Sequence, residues 1–119
     1  MLTVRGNNKI SQIQKEFTTA FPFLKLEFFN QLHKVHEASP KKALIKTDIL
    51  LKERIKGNSE IVINEEMPVS LLERLFMETF GISVQVFRKS GRSWLETTRT
   101  DDWTLRRQND EGKELSMFN

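Results

Sequence analysis

Ile10, Ile13, Phe17 and Phe21 recur at three- and four-residue steps through "ISQIQKEFTTAF", and Val69, Leu72, Phe76 and Phe80 do the same through "VSLLERLFMETF". Such spacing lines one side of a 3.6-residue helix, so each stretch predicts an amphipathic helix whose stripe is core. Ser11 and Ser70 stand at the starts with Gln14 and Glu73 three residues on, the capping-box spacing, and apolar Ile10 and Val69 precede them. Pro22 lacks an amide hydrogen and Gly81 accepts the left-handed conformation, so they are the expected stops.

The pattern then changes period. "FLKLEFF" and "ISVQVF" alternate, which predicts strands with Leu24, Leu26 and Phe28, or Ile82, Val84 and Val86, on one face. "LTVR" and "EIVIN" read as short strands before each helix. "RKSGRS" is a turn around Gly91 that leads into a hairpin partner, "SWLETT". "TDILLKER" and "DDWTLRRQ" both suggest short capped helical turns, and the polar end, residues 111 to 119, is expected to fray.

These elements come in two copies. At a displacement of 59 positions, Leu2, Val4, Ile10, Ser11, Ile13, Gln14, Lys15, Phe17 and Phe21 fall on Ile61, Ile63, Val69, Ser70, Leu72, Glu73, Arg74, Phe76 and Phe80. Shared helical period accounts for the apolar matches but not for those at the Ser caps and polar positions. The chain therefore reads as one α+β domain of two repeats, residues 2–56 and 60–110, each a βαβ(β) unit, with both helices on one face of a mixed sheet. A one-residue gap brings the strands after the helices into register and makes Phe29 equivalent to Phe87. The insertion "NQLHKVHEASPKKALIK" is expected to be a long loop.

Val69, Leu72, Phe76, Gly81, Asp102, Thr104, Leu105 and Asn109 also fall in the order of a helix ending in "FGI", a strand pair and a "D..TL..YN" turn. Residues 60–109 thereby resemble the ubiquitin-like β-grasp domains, and "VFRKSG..WLETT..DDWTL..QN" is similar to uncharacterised small bacterial proteins. The resemblance implies a β-grasp fold; a βαββαβ order would instead be ferredoxin-like. Unlike ubiquitin-like modifiers, the chain ends "GKELSMFN", so conjugation would require trimming to Gly112.

Composition narrows the chemistry. With 119 residues, 38% hydrophobic, 29% charged and nine Phe, the chain can support one core. It has no Cys, which excludes thiol catalysis and thiolate metal sites and suits a reducing cytoplasm. No apolar run approaches the roughly 18 residues of a membrane helix, so no membrane partner is expected. The net charge is +3, but residues 34–56 hold seven Lys or Arg against three acids, a basic stretch that could meet an acidic partner.

No catalytic constellation, cofactor or metal site is expected. His33 and His36 have a spacing that zinc could use but lack a third ligand nearby. Asp101 and Asp102 could hold magnesium, yet acids at the start of a helical turn are favoured by its free amides and dipole. Glu65 and Glu66 precede the second helix in the same way, and "DEGK" lies in the polar end.

Functional interest moves to the sheet face opposite the helices. Alternation turns Lys25, Glu27 and Phe29 outward together with Ser83, Gln85, Phe87 and Lys89, while Trp94 joins across the hairpin and Arg88, Lys89 and Arg92 surround the turn. Phe29, Phe87, Trp94, Arg88, Lys89 and Arg92 are the candidate partner-binding residues, since exposed aromatic groups mark interfaces. The expectation is a non-enzymatic module that docks a protein, or a second copy of itself, through this face or a strand edge. The alternative is a single-stranded nucleic-acid binder that stacks bases on the same rings and neutralises phosphate with the same cations.

Overall fold

The structure, a computed structural model, describes residues 1–29 and 60–117. The basic stretch 34–56, His33, His36 and "TDILLKER" lie outside the described residues. The elements are β1 (Leu2–Arg5), α1 (Ile10–Ala20), β2 (Leu24–Phe29), β3 (Glu60–Ile63), α2 (Val69–Phe80), β4 (Ser83–Ser90), β5 (Ser93–Glu96), a 3₁₀ turn (Thr98–Thr100) and α3 (Leu105–Met117). The chain is thus mixed α+β, and every predicted strand and both amphipathic helices are present among the described residues.

Among the described residues the strands form two antiparallel sheets, β1–β3 and β2–β4–β5, instead of the one mixed sheet expected. The strands flanking each helix belong to different sheets: β1 and β2 part company, as do β3 and β4. A βαβ crossover within one sheet would make its strands parallel. Here the first stretch lends one strand to each sheet and the second lends one to the first sheet and two to the other, and the pairings among the described residues are antiparallel.

The apolar stripes meet between the elements as the periods require. Ile13, Phe17, Leu72 and Phe76 come from the helices, Val4 and Ile63 from the first sheet, and Leu24, Leu26, Phe28 and Val86 from the second; all are buried. Phe28 meets Phe76 edge-on, with ring centroids 5.6 Å apart. Burying each such ring contributes about 1.5–3 kcal/mol, so the stripes dominate the stability of these elements.

Helix ends differ more from expectation. Each helix starts one residue early, at Ile10 and Val69, with Lys9 and Pro68 at the cap positions and no side-chain cap bond. Partner carbonyls displace the capping box at α2: the Val69 and Ser70 amides donate to Trp103 O and Asp101 O at 3.1 and 2.8 Å. In return Leu105 N and Arg106 N, at the start of α3, donate to Met67 O and Glu65 O, each at 2.9 Å, and Thr104 Oγ1 accepts from Arg107 N at 3.1 Å. Each helix start is therefore capped by the chain leading into the other, which satisfies amides that would otherwise be orphaned. At the C-terminus of α2, Gly81 takes the expected left-handed φ of 66°.

The helical turn expected around "DDWTLRRQ" continues as a helix through Met117, so residues 111–117 are helical where polar composition predicts a frayed end. The reason lies on the buried side, where Leu105, Gln108 and Gly112 recur at three- and four-residue steps. Gly112 lets α3 approach closely: a Cβ there would lie 3.0 Å from Phe23 Cβ and 3.1 Å from Arg88 Cγ. Asn109 Oδ1 accepts from Phe23 N at 2.8 Å and ties α3 to the start of β2.

Candidate interaction surface

Leu24, Leu26, Phe28, Val84 and Val86 face the core, so the pleat turns Lys25, Glu27, Phe29, Gln85, Phe87 and Lys89 to the other side, where each is half-buried. Cross-strand register decides which of them meet. Lys25 pairs with Phe87, and Lys89 with Trp94. Lys25 Nζ consequently lies between two rings, 5.3 Å from the Phe87 centroid and 4.9 Å from that of Trp94, while Lys89 Nζ is 6.0 Å from Trp94. These are cation–π distances, and the ammonium keeps both rings in place without burying them. Trp94 remains 37% exposed and Leu95, on the opposite side of β5, 42%.

The other candidates separate. Phe29 shares the face but pairs with Ser83, four strand positions from the Lys25–Phe87 pair, roughly 13 Å away at the usual rise. The antiparallel register thus keeps the two Phe rings, expected to be equivalent, on one face but toward opposite ends of the ladder. Arg92 is exposed in the turn, where Gly91 supplies the left-handed φ of 61° that the first residue of a II′ turn needs. Arg88 has the parity of the core side: its Nη1 donates to Gln108 Oε1 at 2.9 Å and its guanidinium lies 5.5 Å from the Trp103 ring. It therefore braces α3 against β4, and does not stand with Lys89 and Arg92. Gln108, fully buried, completes this brace by donating from Nε2 to Thr100 O at 2.7 Å and Thr100 Oγ1 at 2.9 Å. Arg107 covers the other side of Trp103, 3.8 Å from its centroid.

Lys25 is the residue sequence reasoning missed. Alternation put it on the outer face, but only the register, a contact between residues far apart in sequence, shows it seated between Phe87 and Trp94.

The two edges of this sheet are treated differently. On β2, Gln14 Nε2 donates to Leu26 O at 2.9 Å and Thr18 Oγ1 to Leu24 O at 3.1 Å, so side chains of α1 occupy that edge. All four residues of β5 are exposed, and its outer edge has no partner strand among the described residues.

One carboxyl is perturbed. Glu73 is pushed up to about pKa 7, first by burial and then by the neighbouring Asp101 charge, against a hydrogen bond from the Val86 backbone that favours its ionised form. Its Oε2 is buried with no hydrogen-bond partner among the described residues. Asp101 gives its carbonyl to α2, and no group of three or more metal-ligating side chains occurs among the described residues. Nor, among them, is any helix long and apolar enough to cross a membrane.

Comparison with protein-family models, with curated proteins and with solved structures finds no match.

Proposed function

We propose that this chain is a non-enzymatic protein-interaction module that docks an extended segment of a partner protein along the β5 edge and the adjoining Lys25–Phe87–Trp94 face. The observation that carries the reading is the seating of Lys25 Nζ between two partly exposed rings beside a strand edge that is unpaired among the described residues. Edge addition supplies backbone hydrogen bonds, and alternate side chains of the added strand meet the rings. Lys25, Lys89 and Arg92 outnumber Glu27 and Glu96 on this face, so the segment should carry acids interspersed with apolar residues.

Nucleic-acid binding is the lesser reading. The rings a base would stack upon already hold an ammonium, and Glu96 stands directly across from Phe87. A modifier role is less supported still, because Gly112 is packed inside a helix against Phe23 and Arg88.

The two-repeat reading belongs with this proposal. Leu2 pairs with Ile63 and Val4 with Ile61, while Glu27 pairs with Gln85, so both ladders are symmetric under exchange of equivalent residues. Such symmetry supports duplication of a unit that once paired with a second copy of itself.

Panning a random displayed-peptide library on the full chain tests the proposal. Enrichment of acidic, strand-forming peptides whose binding is lost in Lys25→Ala and in Glu96→Pro is expected, the latter because proline removes an amide of the edge. Failure to enrich, or peptides that bind Glu96→Pro undiminished, would refute it. Binding of mixed oligonucleotides at about 50 mM salt, lost as salt rises, would favour nucleic acid instead.

A further inference from the structure

The hydrogen-bond pattern of the hairpin determines which backbone groups β5 offers. In a hairpin closed by two residues, the flanking pair, here Ser90 and Ser93, exchanges hydrogen bonds. Alternation makes Arg88 and Leu95 the next bonded pair and turns the backbone groups of Trp94 and Glu96 outward. The neighbourhood of Val86 agrees: its bonds point to the same side as those of Arg88, and its carbonyl is taken there by Thr97 Oγ1 at 2.8 Å.

From this pattern we infer that the partner on the β5 edge is a second copy of the chain, joined antiparallel with Trp94 opposite Trp94 across a twofold axis. The inference rests on the docking reading above and names its partner, whose added strand, Ser93–Glu96, brings Glu96 as its acid beside apolar Trp94 and Leu95. Trp94 opposite Trp94 is a register in which both strands aim their outward groups at each other. It also brings Arg92 of each copy, in the turn just before β5, toward Glu96 of the other, twice by symmetry. Displacing the register by two residues either way puts Ser93 or Leu95 on the axis and leaves both Arg92 and Glu96 without an opposite charge. Displacing it by one breaks the hydrogen-bond match altogether. Opposite charges directly across an antiparallel pair stabilise it, and like charges oppose it. Two three-stranded sheets become one of six strands, with the helices of both copies on one side and the Lys25–Phe87–Trp94 clusters joined through the two Trp rings on the other.

Sedimentation of the full chain between about 10 μM and 1 mM tests this. Wild type is expected to dimerise reversibly. Arg92→Glu should raise the dissociation constant about tenfold, because two pairs are reversed at once, and Arg92→Glu with Glu96→Arg should restore it. The chain has no Cys, so Trp94→Cys introduces a single thiol. Facing Cα atoms of a hydrogen-bonded pair are about 5.5 Å apart, within disulfide reach, so the oxidised variant should cross-link whereas Ser93→Cys and Leu95→Cys should not. Circular dichroism confirms that each variant is folded. A monomer at the highest concentration, a dimer indifferent to both charge variants, or cross-linking through Leu95→Cys in place of Trp94→Cys would overturn the inference. A monomer that still binds the selected peptides would leave the docking reading standing, which separates the two failures.

Discussion

Replacing Glu73 by Gln is expected to stabilise the protein at about pH 8 and to leave it unchanged at about pH 4, below the carboxyl's unfolded titration. Glu73 titrates near 7 in the fold against the usual 4.5, so the native state holds its proton more tightly than the unfolded chain does. The stability this proton contributes is complete below pH 4.5 and is lost as pH rises through about 7. Full enclosure would make that loss ~3 kcal/mol. Glu73 is only partly buried, however, and water screens the rest, so about 1–2 kcal/mol is expected. The amide keeps an oxygen for the Val86 N–H and removes the charge that meets Asp101. Urea unfolding of wild type and Glu73→Gln at about pH 4, 6 and 8, followed by Trp fluorescence, isolates the effect, since the other carboxyls cancel in the difference. A stability difference that does not change with pH, or a variant less stable at pH 8, would refute the reasoning.

Gly112→Ala should destabilise by about 1–3 kcal/mol even though Ala is the better helix former, because its methyl meets Phe23 and Arg88 before the helix gains anything; thermal melting reads this directly. Gln108→Leu conserves shape but deprives Arg88 Nη1 and Thr100 of their partner, and should cost about 2–4 kcal/mol in denaturant unfolding. The same variant should loosen the stacking of Arg88 on Trp103 and so shift the Trp emission of the native state.

How far the fold could be read from sequence follows from the range of the interactions concerned. Local periods located α1, α2, β2, β4 and the Gly91 turn, because side-chain direction is set within a few residues. They could not tell which strand lies beside which, and so missed that each unit divides its strands between two sheets. Nor could they show that Trp103 and Asp101 carbonyls would cap α2 in place of the side chains three residues apart. The α3 stripe was obscured because two of its three buried members, Gln108 and Gly112, do not read as core residues. Arg88 was misplaced for a related reason. Near the turn it looks like Lys89 and Arg92, but its parity is that of Val84 and Val86, and the pleat sends it to α3.

Gln14 and Glu73, equivalent under the proposed two-repeat reading, bear comparison. Both sit at equivalent places and reach a strand of the same sheet: Gln14 donates to the Leu26 carbonyl, whereas Glu73 accepts from the Val86 backbone. An edge carbonyl requires a donor, which a carboxylate cannot supply, and an inward amide requires an acceptor, which it can. The difference between the two side chains thus tracks the backbone group each must satisfy, and the charge at Glu73 is the cost of using an acid where an amide would also serve. Beyond Val86 the chain swings away through Thr97 to meet α2, which shortens β5 to four residues and leaves Glu96 as the last one that can pair. Glu73 and Thr97 thus take the two backbone groups of Val86 one pair beyond Glu96, and loosening Glu73 should disturb this end of β4 and β5 before it disturbs the edge of β2, which Gln14 and Thr18 hold.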